Sequence, residues 1–117
     1  MSCIPTQIQL HQKSRTLELT YASGLHETLD AEYLRVNSPS AEVRGHGGQG
    51  GQLPTGKRLV GIENVEAVGN YALKITFSDG HDSGLYSWEY LLDLCQHKDR
   101  YWQTYLNKLA SINGSRD

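Results

Sequence analysis

The chain has 117 residues, a formal net charge of −2, 38% hydrophobic residues and 21% charged residues. This length fits one domain over residues 1–117, since domains usually contain about 100–150 residues, and it is too short for a TIM barrel or a protein kinase. The weakly acidic balance argues against a dedicated nucleic-acid-binding protein or a polybasic membrane-binding protein, and no apolar run approaches the roughly 20 residues of a membrane-spanning helix.

The cysteine content and the N-terminal segment both bear on the cellular compartment. Cys3 and Cys95 are the two cysteines of the chain, which is too few for a disulfide framework. Residues 1–12 contain neither the basic region nor the apolar region of a secretory signal peptide. These features predict a cytoplasmic protein with reduced thiols.

Alternating apolar and polar residues predict strands near the N-terminus. Apolar side chains recur at every second position over 8–10 and 17–21, with a polar stretch between them, which is typical of a β-hairpin. Residues 25–29 form a predicted third strand. Asp30 is placed to cap a short helix that ends before Pro39, because proline disfavours the helical conformation of the residue preceding it.

Residues 44–57 contain six glycines and one proline and show no periodicity, so they are predicted to form a long glycine-rich loop within the domain. Residues 45–50 match G-x-G-x-x-G, but the βαβ unit that a dinucleotide site needs cannot be placed around them. Residues 51–57 approach a P-loop, yet Arg58 stands where a magnesium-binding Ser or Thr is required. Neither glycine motif predicts a nucleotide site.

The second half of the chain begins with a predicted hairpin. Residues 60–62 indicate a strand, and the alternation over 71–77 marks the clearest strand of the chain. Asp79-Gly80 is a strong signal for a two-residue hairpin turn followed by a returning strand. In that register His81 lies opposite Ser78 and is predicted to point outward, away from the apolar face.

Two amphipathic helices are predicted to follow. Ser87 is a good N-cap for the first helix, and Asp99 is placed to cap the second. Their apolar positions recur at i, i+3, i+4 and i+7: Trp88, Leu91, Leu92 and Cys95, then Trp102, Tyr105, Leu106 and Leu109. Residues 111–117 are predicted to be a loose tail. Strands followed by helices predict an α+β fold in which helices pack on one face of a mostly antiparallel sheet.

Polar residues able to carry chemistry gather at two places: Arg44 and His46 in the glycine-rich segment, and His81, Asp82 and Ser83 after the hairpin turn. Nothing in their spacing fixes a nucleophile beside a general base, so no enzyme activity is predicted. The alternative is a metal site that uses the two histidines, although no C-x-x-C or H-E-x-x-H spacing occurs. These five residues are the candidate binding residues.

A partner is expected to bind along these residues, with the glycine-rich stretch 47–56 as a cover. The guanidinium of Arg44 offers a planar set of donors suited to a carboxylate or a phosphate. The expected partner is therefore an unidentified protein or a small anionic ligand, with neither nucleic acid nor membrane involved. Tyr90 and Tyr101 fall off the apolar stripes of their helices and are candidates for an exposed contact.

Three stretches together resemble a known family: YLRVNSPSAEVRGH at 33–46, VGNYAL at 68–73 and DGHDSGLYSWEYL at 79–91. The chain is similar to the γ-butyrobetaine hydroxylase-like N-terminal domain family, also called DUF971, in its stand-alone bacterial form. The resemblance covers roughly residues 5–110.

The resemblance also implies where a metal site would lie. In eukaryotic carnitine-synthesis dioxygenases, a domain of this kind precedes the catalytic barrel and holds a structural zinc with three cysteines and one histidine. The cysteine positions fall here on Ser38, Ser40 and Val43, and the histidine position falls on His81. Serine hydroxyls are poor zinc ligands and valine has no donor atom, so zinc is not expected at this site.

The iron and 2-oxoglutarate chemistry of those enzymes belongs to a separate barrel, which this chain lacks, and similar domains are also appended to P-loop iron–sulfur carrier proteins. The resemblance therefore implies a non-catalytic accessory or interaction module with no cofactor. The alternative is a small protein that binds iron or zinc and is linked to iron or iron–sulfur handling.

Overall fold

The computed structural model describes residues 3–39, 45–46, 49–50, 53–82 and 84–117. Its elements in chain order are β1 (Gln7–His11), β2 (Thr16–Thr20), β3 (His26–Asp30), α1 (Ala31–Val36), β4 (Gly45–His46), β5 (Gln49–Gly50), β6 (Ile62–Val68), β7 (Ala72–Phe77), β8 (Leu85–Ser87), α2 (Trp88–Gln96) and α3 (Lys98–Ser111). The strands form two antiparallel three-stranded sheets, β1-β2-β3 and β6-β7-β8, and the short pair β4-β5. The predicted α+β class is confirmed, with the described strands divided between separate sheets.

The first sheet consists of the predicted hairpin and third strand. Leu17, Leu19 and Leu29 have fully buried side chains, whereas Glu18 lies between the two leucines of β2 and therefore on the opposite face. The strand β3 continues directly into α1, and Asp30 occupies the predicted N-cap position, but its side chain makes no capping hydrogen bond. Burial of each leucine contributes about 1.5–3 kcal/mol, so the period-two pattern decides which face of this sheet joins the core.

The strand β7 is the central strand of the second sheet. Leu73, Ile75 and Phe77 are buried as predicted, whereas Tyr71 is 56% exposed. Tyr71 precedes the strand, because its N–H reaches back to the Val68 carbonyl in the turn that joins β6 to β7. The predicted apolar face is therefore one residue shorter than the alternation indicated.

The helices α2 and α3 follow one another with a single residue between them. Ser87 caps α2 as predicted, since its Oγ accepts a hydrogen bond from the N–H of Tyr90 at 3.1 Å. The prediction that Asp99 caps α3 is wrong, because the N-cap residue is His97, whose N–H also closes the last turn of α2 on the Asp93 carbonyl at 3.0 Å. Asp99 lies instead in the first turn of α3, where its charge suits the helix dipole. Within the described ranges, no helix has the length and apolar character needed to cross a membrane.

One cluster of buried side chains joins both sheets to two of the helices. It includes Leu19 and Leu29 from the first sheet, Ile75 and Phe77 from the second, Leu34 from α1 and Leu91 from α2. A smaller cluster of Val36, Tyr105 and Leu109 packs α3 against the end of α1. The core therefore depends on contacts between elements that are distant in sequence.

Residues 111–117 are held against the rest of the protein, so the prediction of a loose tail is wrong. The N–H of Gly56 donates to the Ser115 carbonyl at 2.9 Å. The Arg116 guanidinium donates two hydrogen bonds, of 2.7 and 2.8 Å, to the buried carboxylate of Glu32, and it stacks on the ring of Trp102. This carboxylate lies 84 positions earlier in the chain, a separation that no local sequence pattern reports.

Part of the predicted glycine-rich loop 44–57 has regular structure. Gly45 pairs with Gly50, and His46 pairs with Gln49, in the strands β4 and β5. Nearer the end of the segment, the Tyr105 hydroxyl donates to the Pro54 carbonyl at 2.8 Å. Residues 53–57 are described and belong to no helix or strand, whereas residues 44, 47–48 and 51–52 lie outside the described residues.

Replacing Phe77 by Ala is expected to lower the free energy of unfolding by about 3–5 kcal/mol, because a fully buried ring is lost from the core. The measurement is urea unfolding followed by circular dichroism. Tyr71→Ala is the matched control and is expected to change the free energy by less than about 0.5 kcal/mol, since its ring is mostly exposed. Equal losses in the two variants would contradict the assigned core face.

Candidate binding site

The turn that follows β7 contains three residues rather than the predicted two. The N–H of Phe77 donates to the His81 carbonyl at 3.0 Å, and the N–H of Gly80 donates to the Phe77 carbonyl at 3.0 Å. Gly80 has a φ of +88°, the left-handed conformation of a type I turn that ends in a bulge. Phe77 therefore lies opposite His81, and the two side chains lie on the same face of the sheet.

The pairing of β7 with β6, on the side away from the returning chain, explains the length of this turn. The N–H of Ser78 donates to the Gly61 carbonyl, and the Ser78 Oγ accepts from the Gly61 N–H, both at 2.8 Å. Successive N–H groups of a strand point to opposite sides, so Phe77 rather than Ser78 pairs with the returning chain. The prediction that His81 points outward is wrong, since His81 is 8% exposed and its ring centroid lies 6.2 Å from that of Phe77.

The inward side chain of His81 is hydrogen-bonded to Ser38, just after the end of α1. The distance between His81 Nε2 and Ser38 Oγ is 2.8 Å, and Ser38 has no exposed surface. A buried imidazole that loses its partner costs about 1–3 kcal/mol. This hydrogen bond therefore fixes the tip of the second sheet on the segment that follows α1.

Ser38 and His81 are also two of the four positions where the resemblance implies a structural zinc, and their direct contact is consistent with that assignment of positions. The donor set does not fit zinc, because the hydroxyl of Ser38 is a poor ligand and is already bonded to Nε2 of His81. Ser40 and Val43 lie outside the described residues, and valine has no donor atom. Among the residues that the structure describes, no three His, Cys, Asp or Glu side chains are grouped to hold a metal ion.

Asp79 is the negative centre of the hairpin tip. Its Oδ1 accepts a hydrogen bond from the His81 N–H at 3.1 Å, and its Oδ2 accepts from Arg35 Nε at 2.9 Å and from Lys57 Nζ at 2.6 Å. Partial burial acts to raise the pKa of Asp79, but the hydrogen bonds from Lys57, His81 and Arg35 outweigh it and lower the pKa to about 2. The carboxylate is therefore ionised at neutral pH.

Two cations share this single carboxylate, so Arg35, Lys57 and Asp79 together carry a net charge of +1. We call these three residues the Arg35–Lys57 cluster. Arg35 is only 9% exposed, and its Nη1 is buried with no hydrogen-bond partner among the described residues. The net charge of the cluster favours an anionic group beside the partly exposed ammonium group of Lys57.

The structure brings only some of the predicted binding residues together. His81 joins Ser38, and its neighbour Asp79 joins the two cations. Asp82 is exposed and lies 3.7 Å from the ammonium group of Lys74 instead. Arg44, Ser83 and the side chain of His46 lie outside the described residues.

Sequence reasoning missed Arg35 and Lys57. They stand 44 and 22 positions from Asp79, so no local motif links the three residues. One signal was present, because Arg35 is a charged residue within α1, every residue of which is buried. A charge in such a run needs a partner elsewhere in the fold.

A second feature is an open cleft of about 520 Å³ between the end of α1, the chain at Leu53, and the helices α2 and α3. Its apolar and aromatic lining consists of Val36, Leu53, Tyr90, Tyr101 and Tyr105, and its polar lining consists of Asn37, Asp93, Thr104 and Lys108. Two of the three tyrosines, Tyr90 and Tyr101, are those that the sequence placed off the apolar stripes. We call this feature the tyrosine cleft.

The chain matches the family described as gamma-butyrobetaine hydroxylase-like, N-terminal, over residues 8–92. The protein therefore belongs to this family, as the three sequence stretches indicated. No curated protein sequence matches the chain.

Solved structures with the same fold agree with this assignment. Two structures determined by NMR in solution are 54% and 46% identical to this chain, with TM-scores of 0.85 and 0.80. Both matches cover 97% of this chain, and they cover 90% and 84% of the respective solved chains. A crystal structure of a protein of unknown function from Acidithiobacillus ferrooxidans, a member of the DUF971 family, is 38% identical, with 80% of this chain and 93% of that chain covered and a TM-score of 0.67.

Asp79→Asn is expected to remove about 1–2 kcal/mol of stability at pH 7 and almost none at pH 2. The pKa of Asp79 is lowered from 3.8 to about 2 in the folded protein, so its contribution is present above about pH 4 and is lost as the pH falls towards 2. Urea unfolding of both proteins at pH 7, 4, 3 and 2 gives the difference directly. A difference that does not change over this range would show that Asp79 makes no stabilising ion pair.

Proposed function

We propose that this protein is a non-catalytic binding module that recognises an anionic group, carried by a partner protein or by a small ligand, at the Arg35–Lys57 cluster. The observation that supports the proposal is that two cations share the single carboxylate of Asp79. The excess positive charge and the partly exposed ammonium group of Lys57 suit a carboxylate or a phosphate. Arg44, which the sequence analysis grouped with His46 and the residues after the hairpin turn, is not needed for this reasoning.

The contact between Ser38 and His81 does not provide a catalytic nucleophile. A serine hydroxyl beside an imidazole is the arrangement of an activated nucleophile. Here the serine has no exposed surface and the histidine is 8% exposed, so a substrate carbonyl cannot approach the hydroxyl. The pair serves to join two parts of the fold.

We place the module in the cytoplasm. Cys3 and the buried Cys95 are both free thiols, and burial raises the pKa of Cys95 to about 11, which keeps it protonated and unreactive at neutral pH. Free thiols of this kind are typical of a reducing compartment.

Titration of ¹⁵N-labelled protein with sodium phosphate and with sodium acetate tests the binding proposal, with the ionic strength held constant by sodium chloride. The backbone amide signals of residues 57 and 79–82 are expected to shift with saturation. Lys57→Met is expected to weaken binding about tenfold, the loss of about 1.4 kcal/mol that one charge-assisted hydrogen bond supplies. Asp79→Asn is expected to strengthen binding, because it removes the competing carboxylate.

Lys74→Met is the matched control, since this lysine belongs to the same hairpin but pairs with Asp82. It is expected to bind both anions like the unmodified protein. Identical titrations for all the variants, or equal shifts with chloride alone, would refute an anion site at this cluster.

Metal analysis of untagged protein separates this proposal from the metal-binding alternative. One equivalent of tightly bound iron or zinc would favour the alternative, whereas a substoichiometric amount is expected here. A pull-down from the native cytoplasm, with the unmodified protein beside an Arg44→Ala/Lys57→Met variant, then tests whether the anionic group belongs to a protein. His81 is not used in this variant because it is part of the folded core.

A further inference from the structure

We propose that the tyrosine cleft binds a peptide segment of a partner protein that presents an apolar side chain next to a carboxylate. The cleft has its own lining residues, none of which belongs to the Arg35–Lys57 cluster. The inference is therefore independent of the function proposed above. It depends on the size of the cleft, on the hydrogen bonds that hold its tyrosines in place and on the ammonium group of Lys108.

The dimensions suit a few side chains of a peptide. The volume of about 520 Å³ falls within the range of roughly 300–1,000 Å³ that is usual for ligand sites. The floor contains the buried residues Val36 and Tyr105, and the walls contain the half-buried residues Leu53, Tyr90 and Tyr101. The cleft is open to solvent, which favours a segment laid across it over a small molecule enclosed within it.

Each tyrosine hydroxyl already donates to an acceptor of the protein. Tyr90 donates to the Asn37 carbonyl at 2.6 Å, Tyr101 donates to Asp93 Oδ2 at 2.6 Å, and Tyr105 donates to the Pro54 carbonyl at 2.8 Å. The three rings are therefore held in place, and the half-buried rings of Tyr90 and Tyr101 line the cleft, where an apolar side chain can contact them. Fixed aromatic rings lose little conformational entropy on binding and are typical of protein-binding surfaces.

The cleft contains one carboxylate, of Asp93, and one ammonium group, of Lys108, and only the ammonium group lacks a partner among the described residues. Both oxygens of Asp93 are engaged, Oδ2 by Tyr101 and Oδ1 by His97 Nδ1 at 2.8 Å. The hydrogen bond from Tyr101 is the main cause that lowers the pKa of Asp93, so this carboxylate is ionised. The ammonium group of Lys108 has no hydrogen bond or ion pair with any residue in the described ranges. A carboxylate beside the apolar side chain of the segment would complement Lys108.

Three short peptides distinguish the contribution of the apolar ring from that of the carboxylate. Acetyl-Phe-Asp-amide carries both the ring and the charge, acetyl-Phe-Asn-amide lacks the charge, and acetyl-Ala-Asp-amide lacks the ring. Titrations followed by the amide signals of Thr104 and Lys108 are expected to give the tightest binding for the first peptide. Replacing the ring by a methyl group is expected to weaken binding at least tenfold, because most of the buried apolar area is lost.

Lys108→Met is expected to weaken acetyl-Phe-Asp-amide about threefold to fivefold, as for a partly exposed ion pair, and to leave acetyl-Phe-Asn-amide unchanged. Lys13→Met, at an exposed lysine between β1 and β2, is the control and is expected to change neither affinity. The proposal is overturned if none of the peptides shifts these signals at 5 mM, if the charge makes no difference, or if both lysine variants behave alike. Phenylpropionate that binds as tightly as the peptide would assign the cleft to a small acid instead.

Discussion

The hydrogen bond between His81 and Ser38 is the contact on which the arrangement of the hairpin tip depends. The three-residue turn directs His81 inward, and a polar ring in the core requires a partner there. Ser38 supplies it at 2.8 Å from the end of α1. The same turn places Asp79 between Arg35 and Lys57, so the packing of one histidine determines the geometry of the charged cluster.

This hydrogen bond joins two of the positions at which the family resemblance implies a structural zinc. A structural zinc contributes about 10–16 kcal/mol to a small domain, whereas one buried hydrogen bond contributes about 1 kcal/mol. The hydrogen bond cannot replace such a site energetically. The core that joins the two sheets to α1 and α2 contributes far more to stability, and the hydrogen bond satisfies two buried polar groups, Ser38 and His81.

The periodic elements were predictable from the sequence because their side chains follow the geometry of single strands and helices. The burial of Leu73, Ile75 and Phe77 and the cap at Ser87 are of this kind. The turn after β7 was not predictable, because its length is decided by the pairing of Ser78 with Gly61, on a strand whose register no local pattern gives. A turn that is longer by one residue places His81 in the core rather than on the outer face.

The same distinction between local patterns and tertiary contacts applies to the candidate sites. Tyr90 and Tyr101 were found because a ring off the apolar stripe of a helix is visible in the sequence, and both line the tyrosine cleft. Arg35 and Lys57 were missed because only the tertiary fold brings them to Asp79. The tail was misread for the same reason, since its anchor is the distant carboxylate of Glu32. The ion pairs between residues distant in sequence were therefore the least predictable contacts of this protein.

A double-mutant cycle on Ser38 and His81 tests the central contact most directly. The free energy of unfolding in urea is measured for the unmodified protein, for Ser38→Ala, for His81→Phe and for the double variant. A buried hydrogen bond predicts a coupling energy of about 1–2 kcal/mol, because the second substitution relieves the unpaired group that the first one leaves. Losses that add to within about 0.3 kcal/mol would contradict the contact and, with it, the inward position of His81.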